Sequence, residues 1–175
     1  MTELQRFRTQ KDACFRSHPQ SPLTSEQKRA FHGLHYFPEN SALRFQVTVE
    51  PFPIQDEIAM QASTGDERMY TRYGRVEFTV DGQAAALTIY ADVHGFFLPV
   101  VDVLAGTETY GAGRYLEPQP LEDGRLLIDF NLAYNPYCAY NDAWSCPLTP
   151  WENRLRVRSA LGKSCFPMTS CNACV

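Results

Sequence analysis

The stretch DFNLAYNPYCAYNDAWSCPLTPWEN, residues 129–153, crowds Asn, Tyr, Trp, Pro and Cys together with few charges. Its prolines and Asn-rich steps exclude regular sheet or helix over most of its length. Long ordered loops of this kind are disproportionately functional. Tyr134, Asn135, Tyr140 and Asn153 offer neutral donors and acceptors suited to a small polar ligand. The strand period of RLLIDF places Asp129 and Asn131 on one face, opposite Ile128 and Phe130. With the apolar pair in a core, Asp129 and Asn131 would face water or a lined cavity, and in a cavity they would orient the ligand. A partly buried Asp129 with a raised pKa would act as general base in hydrolase-like chemistry. The competing reading is that these polar groups simply satisfy the backbone of an irregular loop.

A second group lies in TYGAGRYL, residues 109–116. Gly111 and Gly113 permit positive φ or a close approach of backbone. Arg114 presents a planar fork suited to carboxylate or phosphate, and Tyr115 follows it into the same expected pocket. Glycine spacing and surroundings do not match a dinucleotide fingerprint. A structural pair of Arg114 with Asp102 or Asp129 is the alternative.

Cys138 and Cys146 are separated by seven residues and admit a disulfide, a metal site, a nucleophile or plain packing. A nucleophilic Cys138 needs a base, for which His32, His35 and His94 are the candidates. The tail adds Cys165, Cys171 and Cys174 with a single C-x-x-C, so the ligands of a zinc site would be drawn from these five thiols, with His94 or Cys14 as further candidates; a flexible tail that oxidises adventitiously is the alternative. His94 stands beside Asp92 in a DVHG turn, where a satisfied turn competes with an acid–base pair.

Positioning these groups falls to a mainly β framework. The first residues, about 3–33, read as helical: Leu4, Phe7, Cys14 and Phe15 share a loose face, Thr24 and Gln27 form a capping box, and Gly33 stops the segment. From Leu43 the period becomes two, in RFQVTVE, VEFTV, QAAALTIYA, RLLIDF and NRLRVRSA. Asp81–Gly82 marks a tight hairpin, and Pro99 interrupts the apolar run GFFLPVVDV as an edge or bulge would. About seven or eight short strands after N-terminal helices predict an antiparallel barrel or sandwich. The expected organisation is a single β-rich domain over residues 1–163 and a Cys-containing tail over 164–175.

Six segments resemble domain-of-unknown-function family 1684 of bacteria and archaea. They are SPL (21–23), GLHYFP (33–38), YGRVEF (73–78), TYGAGRYL (109–116), DFNLAYNPYCAY (129–140) and CPLTPWENRL (146–155). The resemblance runs from about Lys11 to Gly162 and implies one small domain; it implies no activity. Family members often carry Gly-Glu where this chain has Gly162–Lys163, and the tail SCFPMTSCNACV lies outside the shared pattern.

The net charge of −4 argues against a nucleic-acid partner, which wants a basic surface. No apolar run is long enough to span a membrane, and the charged N-terminus does not read as a signal peptide. The cytoplasm is the expected compartment. The expected partner is a small polar or anionic molecule; the rivals are zinc held by thiolates and a protein partner met by Trp144, Trp151 and the tyrosines.

Overall fold

The computed structural model describes residues 1–157. Helix α1 (Glu3–Ser17) begins at a capping box: Thr2 Oγ1 accepts from the Gln5 amide while the Gln5 side chain accepts from the Thr2 amide. The short α2 (Ser25–Arg29) uses the expected box of Thr24 and Gln27. Leu4 and Phe15 of α1 are buried and Phe7 is half-buried, whereas Cys14, expected beside them, is exposed. Lys11 lies on the same stripe, four residues from both Phe7 and Phe15.

Among the described residues nine strands follow: β1 (Arg44–Val47), β2 (Glu50–Pro51), β3 (Glu57–Gln61), β4 (Glu67–Val80), β5 (Gln83–Asp92), β6 (Gly95–Val100), β7 (Arg114–Leu116), β8 (Gln119–Pro120) and β9 (Leu126–Asp129). They form two antiparallel sheets, a three-stranded one in the order β1-β9-β8 and a six-stranded one in the order β2-β4-β5-β6-β7 with β3 also on β4. The protein is mainly β, and neither sheet closes into a barrel. The main core draws on both sheets, with Val47, Leu126 and Ile128 meeting Val76, Leu87, Ile89 and Leu98.

The β4–β5 hairpin turns at Asp81 (φ 48°) and Gly82 (φ 75°), with Val80 opposite Gln83. Both central residues take the positive φ that a two-residue turn of this hand requires. RFQVTVE was expected as one strand but divides between the sheets, Arg44–Val47 pairing with β9 and Glu50–Pro51 with β4. At that crossing Gly74 passes so close to the Glu50 carbonyl that a Cβ would lie 2.6 Å from its oxygen.

NRLRVRSA, expected as a closing strand, is corrected. Residues 154–157 make only a single bridge, Arg154 with Val101, and residue 158 onward lies outside the described residues. The reason is local. β5 and β6 pair only through Tyr90–Asp92, after which β6 runs on with β7. A side chain fills the gap where the strands part: Asn153 accepts from the Thr88 amide at 2.8 Å and donates to the carbonyls of Thr88 at 2.9 Å and Pro99 at 2.8 Å. Pro99 lies in this parted region, so its missing N–H interrupts no β5–β6 ladder.

Candidate functional site

A cleft of about 1020 Å³ opens between the N-terminal helix, the end of the large sheet and the loop after β9. Tyr70, Phe97 and Tyr115 form its sheet wall, and Tyr134, Tyr137 and Trp144 form its loop wall. The rings interlock edge to face: Phe97 with Tyr115 at 4.8 Å, Tyr115 with Tyr134 at 5.9 Å, and Tyr137 with Trp144 at 4.9 Å. Such packing fixes the wall's shape before anything binds.

Lys11 supplies a cation to this aromatic site. Its ammonium lies 4.0 Å from the Tyr134 ring centroid and 5.4 Å from that of Phe7. Burial brings the Lys11 pKa down to about 8, an effect partly countered by the nearby Glu117 carboxylate. Among the described residues no carboxylate forms an ion pair with it. Tyr134 donates to Glu117 Oε1 at 2.7 Å, and burial followed by that carboxylate's charge pushes the phenol's pKa up. Tyr134 therefore stays a neutral donor beside an ammonium.

Of the residues expected in the site, Tyr115, Tyr134, Asp129 and Cys146 line the cleft. Asp129 is tied into the loop: its Oδ1 accepts from the Asn131 amide at 3.0 Å and from Asn131 Nδ2 at 2.8 Å. Asn131 in turn holds Asn40, accepting from its amide at 2.8 Å and donating to its carbonyl at 2.9 Å. Asn135 and Tyr140 are buried behind the cleft, and Tyr140 packs on Phe15, Leu23 and Phe31 of a second apolar cluster. Gln27 clamps the same turn by donating to the Tyr140 carbonyl at 2.9 Å.

Arg114 is corrected from anion clamp to core ion pair. Strand alternation sends Tyr115 to the cleft and Arg114 to the opposite face, where only 1% of it is exposed. There its Nη2 donates to Asp102 Oδ2 at 3.0 Å. Gly113 before it has φ +104°, and a Cβ there would come 2.7 Å from the Val100 carbonyl oxygen. Asn153 is likewise corrected: fully buried, it makes its side-chain bonds to the parted strands and does not line this cleft.

Cys138 and Cys146 meet at the back of the loop wall. The Cys138 amide donates to Cys146 Sγ at 3.3 Å, and the Tyr110 hydroxyl lies 3.9 Å from Cys138 Sγ. Both thiols are free. Ser63 ties Cys146 to the β3–β4 turn, its amide donating to the Cys146 carbonyl at 2.8 Å and its Oγ accepting from the Cys146 amide at 3.1 Å. The Cys138 amide and thiol contacts involve no imidazole, and His94 uses its own amide to close a turn on Asp92 at 2.7 Å. Among the described residues no three His, Cys, Asp or Glu side chains come together as metal ligands. Cys165, Cys171 and Cys174 lie outside the described residues.

Sequence reasoning missed Lys11, Glu117, Tyr70 and Phe97. A signal existed for Lys11, since a lysine on the apolar stripe Phe7–Lys11–Phe15 has its stem among rings. Nothing in the sequence could bring Tyr70 and Phe97 to Tyr134, because that contact requires the sheet.

These features define a mainly β protein with two antiparallel sheets and a helix-bordered aromatic cleft. The chain belongs to the family described as "Protein of unknown function (DUF1684)", whose model matches residues 29–163. It is also similar to the solution NMR structure of an uncharacterized protein from Haloarcula marismortui, with 35% sequence identity and a TM-score of 0.70. That likeness covers 93% of this chain and 92% of the other. No curated protein matches at a significant level. The loop wall and Tyr115 fall inside the family match, whereas Phe7 and Lys11 precede it.

Proposed function

We propose that the cleft binds a small organic anion, with its carboxylate on Lys11 and its apolar body between the sheet and loop walls. The observation that carries this is a half-buried ammonium with no ion-pair partner among the described residues, opening on a rigid aromatic cleft. Removing an ammonium from water is unfavourable unless a counter-charge arrives, and a bound carboxylate supplies one. Tyr134, kept neutral, would donate to the same anion or remain on Glu117. Asp129 would act here as a positioning group through Asn131.

The protein-partner reading has less behind it. Trp151 is 81% exposed beside Arg154, but Trp144 lies in the cleft against Tyr137, so the two indoles do not share a patch.

Titration of 15N-labelled protein with phenylacetate, succinate and phenylacetamide, followed by NMR, tests the proposal. Phenylacetate is expected to give saturable shifts at Tyr115, Glu117 and Tyr134, with the uncharged amide giving none. Lys11→Met should weaken that binding by about 10–100-fold, the worth of one charge-assisted contact. Binding of the amide as tightly as the acid, or indifference to Lys11→Met, would refute it.

A further inference from the structure

The cleft reading makes no use of the paired thiols, Cys146 at the cleft lining and Cys138 beside it, and their arrangement is more specific than packing requires. We infer that Cys138 and Cys146 form a dithiol site that reduces small-molecule disulfides, with Cys138 attacking and Cys146 resolving.

Three observations set the roles. The Cys146 sulfur lies 3.3 Å from the backbone nitrogen of Cys138, within one side chain's reach of the Cys138 sulfur. Cys138 is half-buried, while Cys146 is 6% exposed, so Cys138 is the more accessible sulfur. The Tyr110 hydroxyl, 3.9 Å from Cys138 Sγ, offers a hydrogen bond to a Cys138 thiolate. The pair's electrostatics agree. The Cys146 thiol donates toward Cys138 and brings its pKa down to about 6, while Cys146 itself is pushed up by holding that shared proton and by burial. Burial, followed by the charge of Cys138, also pushes Tyr110 up, so that its hydroxyl remains a donor.

The exchange balances without any group the site lacks. The Cys138 thiolate attacks one sulfur of R–S–S–R, forming Cys138–S–S–R and expelling one RS⁻. Cys146 gives up its proton and attacks the Cys138 sulfur, closing a Cys138–Cys146 disulfide and expelling the second RS⁻. Both leaving thiolates are protonated, so the small disulfide gains two electrons and becomes two thiols while the protein dithiol is oxidised.

The test uses the full chain and oxidised glutathione, with intact-mass measurement and peptide mapping. The expected product is a Cys138–Cys146 disulfide carrying no glutathione on either residue, while Cys146→Ser retains one glutathione on Cys138. A stable glutathione adduct on wild-type Cys138, or trapping on Cys146 in Cys138→Ser in preference to Cys138 in Cys146→Ser, overturns the inference. A measurement on the unmutated protein guards against misfolded variants: limited iodoacetamide labelling at pH 6. The neighbouring Cys146 thiol and Tyr110 hydroxyl favour the Cys138 thiolate, the form that alkylates. Cys138 should therefore label ahead of the exposed Cys14. Labelling of Cys14 ahead of Cys138 refutes the assignment.

Discussion

Asn153→Ala removes three side-chain hydrogen bonds from a fully buried site. The Thr88 amide and the carbonyls of Thr88 and Pro99 would be left where β5 and β6 part, with no strand to receive them. Each unsatisfied buried group costs about 1–3 kcal/mol, and carbonyls lose less because they keep a second lone pair. The expected destabilisation is therefore ~3–5 kcal/mol, at the upper end for a single substitution. For a chain of this length each kcal/mol moves Tm by about 2–4 °C, so a fall of roughly 6–20 °C should appear in calorimetry. Urea unfolding followed by tryptophan fluorescence should show the loss in midpoint with an unchanged slope. Asn153→Asp should be no milder, since it keeps the acceptor for Thr88 but sets a carboxylate against two carbonyl oxygens. A loss below about 1 kcal/mol for Asn153→Ala would refute the account of Asn153 as the bridge between the strands.

Arg114→Met should cost ~3–5 kcal/mol in the same urea assay, because it breaks a buried ion pair with Asp102, and adding Asp102→Asn should recover part of the loss. An unchanged midpoint would return Arg114 to a ligand-binding role. Lys11→Met should leave the protein more stable than wild type by ~1–2 kcal/mol at pH 7, the cost of ammonium burial less its contact with Tyr134. The sign follows from the lowered folded pKa. Between about 8 and about 10.5 the unfolded chain holds a proton that the folded chain has released, so Lys11's contribution to stability rises with pH there. The gap between variant and wild type should narrow across that window, and a gap constant from pH 7 to pH 10 would sink the argument.

Local chemistry was legible wherever it acts within a few residues. The Thr24–Gln27 box, the Asp81–Gly82 turn and the positive φ of Gly113 are present as read, because each depends on side chains and dihedrals close in sequence. Most of the strands were legible from their period of two. The ligand-binding roles assigned within the stretch 129–153 were less so. Its asparagines read equally as ligand contacts and as backbone partners, and Asn131 and Asn153 proved to be the latter.

What the sequence by itself determined, then, is the mainly β character, the family, and where the chain turns and caps, since propensity, pattern and motif are local properties. Only the tertiary structure decided that RFQVTVE divides between two sheets, that Arg114 turns inward to Asp102 and that Lys11 meets Tyr134. Those outcomes depend on which face of a strand is buried and which distant segment lies against it. A one-residue change of register would exchange Arg114 and Tyr115 between core and cleft, and that register is set by packing across the whole sheet.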